Sequence, residues 1–194
     1  MKSIDELNDT PSIRYRIGYL DYQKQDYEAG LREFLKTYEA FPRDKNVLYG
    51  LGNTLFRRGD YFASQGYYES LMDMLETERL DQGIIFPQIR AEQGSFVEEY
   101  MKVSNNLGVI LNRLASRTGD SRKNGRSLEL LSDSSRAWDA LTRNPLTLDR
   151  AQGFNLSYLN TQNMTRPHAE FVPDIYQDIP RTLEKEKILK QNPD

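Results

Sequence analysis

Apolar and small residues recur along this chain at the spacing of paired helices, and the pattern repeats. Residues 11–44 and 45–78 align without a gap at an offset of 34. The alignment places Ile17-Gly18 on Leu51-Gly52, Asp26-Tyr27 on Asp60-Tyr61, Gly30 on Ser64 and Phe34 on Tyr68. Each match has a physical reason. A small residue in a first helix (Gly18, Gly52) and another in a second (Gly30, Ser64) let two helix axes approach closely. A large residue before the first and a ring one turn after the second fill the space beside the crossing. The Asp-Tyr pair suits a tight turn between the helices. Gly59 is placed to end a helix in a left-handed conformation, and Pro42 cannot continue one.

A third, degraded copy begins near Met101. Residues 103–114, VSNNLGVILNRL, repeat the first-helix pattern with Leu107-Gly108 in the key places. The polar run 115–126, ASRTGDSRKNGR, reads as a stretched turn. The second helix is expected to resume over 127–142 on Leu128, Leu131, Ala137, Trp138 and Leu141, with Asn144-Pro145 closing it. A partial fourth copy is expected over 148–162, with Phe154 and Tyr158 one turn apart. Residues 79–97 interrupt the series, and their apolar cluster Ile84-Ile85-Phe86 is expected to be buried. The tail, 163–194, carries Pro167, Pro173 and Pro180, and reads as a strap followed by a helix over 180–190 that caps the open end.

Two copies at a period of 34 resemble the tetratricopeptide repeat. The second, LGNTLFRRGDYFASQGYY, carries the resemblance best. It implies an all-α fold: a right-handed superhelical stack of helix-turn-helix repeats over 1–162, with 163–194 as a capping tail. It also implies that first helices line a concave face where partner peptides lie. Helical spacing then names the inward side chains. They are Tyr15, Tyr19, Tyr22 and Gln23 in the first copy, Tyr49, Asn53, Phe56 and Arg57 in the second, and Asn105, Val109, Asn112 and Arg113 in the third. Tyrosine and arginine often anchor interfaces, and asparagine can hydrogen-bond a peptide backbone as both donor and acceptor. A chaperone-binding branch of the family grips a C-terminal carboxylate with Lys, Asn and Arg. This chain keeps Asn53 and Arg113 but has Tyr15 and Tyr19 where that branch places a Lys and an Asn.

Composition changes this picture little. The 12 tyrosines against one tryptophan suit half-buried grooves. The formal net charge of -3 argues neither for nor against a charged partner. The absence of cysteine removes disulfides, thiolate metal sites and cysteine nucleophiles, and leaves both redox compartments open. No apolar run is long enough to span a membrane, and MKSIDELNDTPS does not read as a signal peptide. His168, in RPHAEFVP, is the only histidine, and nothing around it forms a triad. Phosphate-binding glycine motifs are absent. The cluster Arg113, Arg117, Arg122, Lys123 and Arg126 is the best nucleic-acid candidate, but Asp120 dilutes it. The expectation is therefore a non-catalytic, cofactor-free scaffold that binds a protein or peptide. The alternative is a structural subunit that self-assembles, or whose groove is filled by its own tail through Phe171, Val172, Ile175, Tyr176 and Ile179; a third reading is a nucleic-acid-binding or enzyme-regulatory module.

Overall fold

The computed structural model describes residues 10–151 and 171–177. Among them are seven α-helices and no strand. They are α1 (Pro11–Gln23), α2 (Tyr27–Ala40), α3 (Lys45–Arg58), α4 (Tyr61–Asp81), α5 (Gly94–Thr118), α6 (Ser121–Arg143) and α7 (Leu148–Ala151). A 3-10 turn, Ala91–Gln93, precedes α5. The described residues divide into two compact units, 10–67 with 174–177 and 68–151 with 171–173, and the division falls inside α4.

In the first unit the turn chemistry follows the sequence. Thr10 caps α1 by accepting from the Ile13 amide at 3.4 Å, with Pro11 in the first turn. Asp26 caps α2 by accepting from the Ala29 amide at 3.0 Å. Asp44 caps α3 with bonds from Asn46 (3.0 Å) and Val47 (3.3 Å). Gly59 ends α3 at φ 83°, where a side chain would be strained. α1 packs on α2, and α2 on α3. The crossing of α1 and α2 is as tight as its two glycines allow. A Cβ on Gly30 would lie 3.1 Å from the Gly18 carbonyl oxygen, and one on Gly18 would lie 3.0 Å from the Phe34 ring. Phe34 is fully buried, with Tyr15 at a ring separation of 5.2 Å. At the next hairpin, the Ser64 hydroxyl donates to the Gly52 carbonyl at 2.7 Å.

In the second unit α5 packs on α6, and α7 packs on both. Its crossing has the same chemistry as that of Gly52 and Ser64. The Ser127 hydroxyl donates to the Gly108 carbonyl at 2.6 Å, and a Cβ on Gly108 would meet Leu131 at 2.9 Å. Two sequence expectations are corrected here. The run 115–126 is not a stretched turn. Only Gly119, at φ 71°, and Asp120 separate the helices. Asp120 caps α6 by accepting from the Arg122 (3.0 Å) and Lys123 (3.4 Å) amides, so the second helix starts at Ser121 rather than 127. The small residues of this hairpin stand seven positions further apart than Gly18 and Gly30, or Gly52 and Ser64. Seven residues are about two helical turns, so lengthening both helices keeps the inward faces in phase.

The second correction concerns the interruption between repeats. Helix α4 runs on to Asp81 and α5 starts at Gly94, so the irregular stretch is 82–93. Ile84 is buried, but Ile85 is 73% exposed and Phe86 half-buried. A bridge between Ile85 and Gln88 closes a tight turn, which sends these neighbours to different sides. Phe86 still touches the core through the Tyr100 ring, 5.2 Å away. The fourth repeat beyond Ala151, His168 and the helix expected over 180–190 lie outside the described residues.

Candidate functional site

The residues expected to line a groove fall in both units, and each set has its own geometry. In the first unit, Tyr15, Tyr49 and Asn53 are buried. All three touch the short non-helical segment 174–177. The Tyr15 hydroxyl donates to the Tyr176 carbonyl at 2.7 Å. The Tyr49 and Tyr176 rings stand 5.5 Å apart at 57°. The Asn53 amide donates, at a long 3.4 Å, to the Asp174 carbonyl. Ile175 is buried as well.

The other expected residues of this unit are placed differently. Tyr22 is buried and packs edge-on against Tyr27 at 5.4 Å. Burial raises its pKa above the ordinary 10.0, partly offset by a hydrogen bond with Arg57. Tyr19 is half-buried and Arg57 exposed. Phe56 is half-buried against the Tyr61 ring, 5.1 Å away.

In the second unit the residue that matters most is one the helical spacing passed over. Asn106 is completely buried. Its Oδ1 accepts from the Val172 amide at 2.8 Å, and its Nδ2 donates to the Val172 carbonyl at 3.0 Å. One side chain thus reads the N–H and C=O of a single residue, much as a neighbouring strand would. The remaining positions of the amide are used too. Nδ2 donates to the Tyr68 hydroxyl at 2.9 Å, and Oδ1 accepts from Asn105 Nδ2 at 3.2 Å. Two donors and two acceptors are thereby accounted for. Because the Val172 amide can only donate, it fixes which end of Asn106 is oxygen. Tyr68 also presents its ring edge-on to Phe171, at 6.4 Å and 82°.

Asn105, expected to face a partner, instead is buried and holds Asn106 in place. Val109 is fully buried, while Asn112 and Arg113 are half-buried. The basic cluster runs along the ends of α5 and α6 rather than a loop, and carboxylates stand beside it. Arg122 lies 3.5 Å from Asp120, and Arg126 lies 3.1 Å from Glu129.

Asn106 did leave a signal in the sequence. Aligning Leu107-Gly108 with Leu51-Gly52 puts Asn106 on Gly50. Gly50 faces the Phe34 ring, since a Cβ there would lie 3.4 Å from it. The ring equivalent to Phe34 is Tyr68, which carries a hydroxyl. An asparagine in a glycine slot, opposite a tyrosine in a phenylalanine slot, marks a polar pair in the interior.

The second unit also carries clefts beside α5 and α6. One, of about 550 Å³, is floored by Pro87, Ile89, Ala140 and Pro145, with Arg90 and Arg143 among its lining residues. A second, of about 300 Å³, holds charges that neutralise one another. Arg79 bridges Glu76 at 2.9 Å, and Arg136 bridges Asp133. Tyr100 donates to Glu76 at 2.5 Å, and burial together with this bond pushes its pKa well above the ordinary tyrosine value. Among the described residues no three His, Cys, Asp or Glu side chains form a group able to hold a metal, and no helix is long and apolar enough to cross a membrane. Compared with protein-family models and with curated proteins, the chain gives no match.

Proposed function

We infer that the chain is a non-catalytic interaction scaffold, a stack of tetratricopeptide-type hairpins whose first helices take a partner peptide or protein. The observation that carries this reading is what the first helices do with non-helical chain. Tyr15 and Asn106 sit on first helices of the repeat pattern, and each hydrogen-bonds backbone atoms of the segment 171–177. A surface that binds main chain through fixed polar side chains recognises peptides by a general chemistry, with flanking rings adding selectivity. The same contacts favour a second reading, in which the chain is a structural subunit whose binding face is filled by its own tail.

Affinity capture from native extract tests the first reading. Wild type is compared with an Arg57→Ala, Arg113→Ala double variant, which removes two cations expected on the partner-binding face, neither of them buried; the bond from Arg57 to Tyr22 is lost with them. A partner kept by wild type and lost by the variant, at an unchanged circular dichroism spectrum, supports the scaffold. Equal capture by both moves binding away from the first helices and sinks it.

A further inference from the structure

The second unit holds its own chain in a manner suited to exchange. Asn106 hydrogen-bonds the main-chain N–H and C=O of Val172, and every residue except proline offers the same two groups. Pro173 restricts the residue before it to extended backbone, which presents both groups together. Side chains add a modest filter. Val172 is 2% exposed, so its slot suits a β-branched apolar residue and rejects charge. Phe171 remains half-buried and meets the Tyr68 ring edge-on. A strap whose sole task was to stay put would gain more from apolar packing than from a buried amide with four hydrogen bonds to satisfy. The amide also makes an empty site unfavourable. If Val172 leaves, Asn106 loses one donor bond and one acceptor bond, and another stretch of extended chain restores both.

We propose that Phe171–Pro173 is an exchangeable resident of the Tyr68–Asn106 site, and that the external ligand is an uncharged extended segment with an aromatic residue followed by a β-branched apolar one. This rests on the scaffold reading and names the ligand class and the competitor. The tethered resident acts at high effective concentration, so the wild-type chain binds an external peptide weakly until the resident is expelled.

The test uses the full chain and a fluorescein-labelled peptide of residues 169–177, read by fluorescence anisotropy. Val172→Asp in the chain expels the resident by placing a charge in its apolar slot. That variant is expected to bind the probe at least roughly tenfold more tightly than wild type. Adding Asn106→Leu to it abolishes the gain, and a probe carrying Val172→Asp binds neither chain better than the other. Equal probe affinity in wild type and a folded Val172→Asp chain overturns the proposal. Hydrogen exchange on wild type gives an answer that needs no variant. Saturating unlabelled peptide strips protection from the chain's own Val172 amide if the resident exchanges, and unchanged protection overturns the idea. A wild-type dimer that the peptide dissociates, seen by light scattering, assigns the resident to a second copy and also overturns it. Failure in any of these ways, with partner capture still sensitive to Arg57 and Arg113, leaves the scaffold reading standing.

Discussion

The same structural slot is built in two chemistries in the two units. In the first, the Phe34 ring faces Gly50, and the pair is apolar and closed. In the second, Tyr68 faces Asn106, and the pair carries hydrogen bonds on to Val172. Going from one to the other adds a hydroxyl on one side and an amide on the other. Either addition alone would be a fault, because a buried polar group without a partner is destabilising. Together they turn a packing contact into a device that binds main chain. A hairpin can thus keep its backbone geometry and gain hydrogen bonds to main chain by a matched pair of residue differences.

The largest effect expected in breaking this comparison comes from deleting the ring. Phe34→Ala empties a fully buried position against two glycines, Gly18 and Gly50, that cannot fill the gap, and should cost about 3–5 kcal/mol in urea denaturation. A cost under about 1 kcal/mol would mean that the first unit does not depend on this crossing.

Next comes the transplant. Gly50→Asn forces an amide against a ring only 3.4 Å from the new Cβ and should destabilise by about 1–3 kcal/mol. Adding Phe34→Tyr gives the amide a hydroxyl partner. The double variant should recover part of the loss, with a coupling of about 1 kcal/mol in a double-mutant cycle. Strict additivity would show that the Tyr68–Asn106 geometry is not encoded by the pair alone.

Tyr68→Phe is gentler. It removes one of the bonds to Asn106 while leaving the two to Val172, at about 0.5–1.5 kcal/mol. Hydrogen exchange at the Val172 amide should quicken only slightly. A complete loss of protection there would make the tyrosine, not the asparagine, the main reader of the segment.

The smallest effect near neutral pH is that of the buried tyrosines. Tyr22 in the first unit and Tyr100 in the second both have a raised pKa, from burial first. A raised folded-state pKa means the contribution to stability is fully present below the unfolded value near 10.0 and is lost as pH rises through the folded one. For these two groups the denaturation midpoint should be level up to about pH 10 and fall above it. Tyr100→Phe should blunt that fall more than Tyr22→Phe, because Tyr100 also donates to Glu76. Alkaline absorbance titration showing no late-ionising tyrosine would remove the basis for the effect.

Much of the fold was legible because helix ends and close crossings are local or nearly local demands. Asp26 and Asp44 cap helices through their own next turns, and Gly59 ends one because a left-handed residue is needed there. Gly18 with Gly30, and Gly108 with Ser127, mark crossings that admit nothing larger without displacement. The site was harder to see. Counting along first helices picked out Tyr15, Tyr49 and Asn53, which do meet the tail segment, but assigned Asn105 the role that Asn106 plays. The misassignment has a simple cause. Asn105 is in register with Tyr15 and Tyr49, whereas Asn106 owes its position to a ring on another helix. The run 115–126 was misread for a related reason. Its polar composition suggested a loop, yet one left-handed glycine and one capping aspartate suffice for the turn.

The sequence by itself determined the helical hairpins of the first unit, their caps and the small residues at the crossings, because these follow from backbone sterics and bonds within a few residues. Only the tertiary structure decided that Val172 and Tyr176, 66 and 161 residues from their partners Asn106 and Tyr15, complete those buried polar groups. An amide or hydroxyl does not announce its acceptor along the chain. It accepts whichever backbone folding brings within reach, and that choice is made by packing.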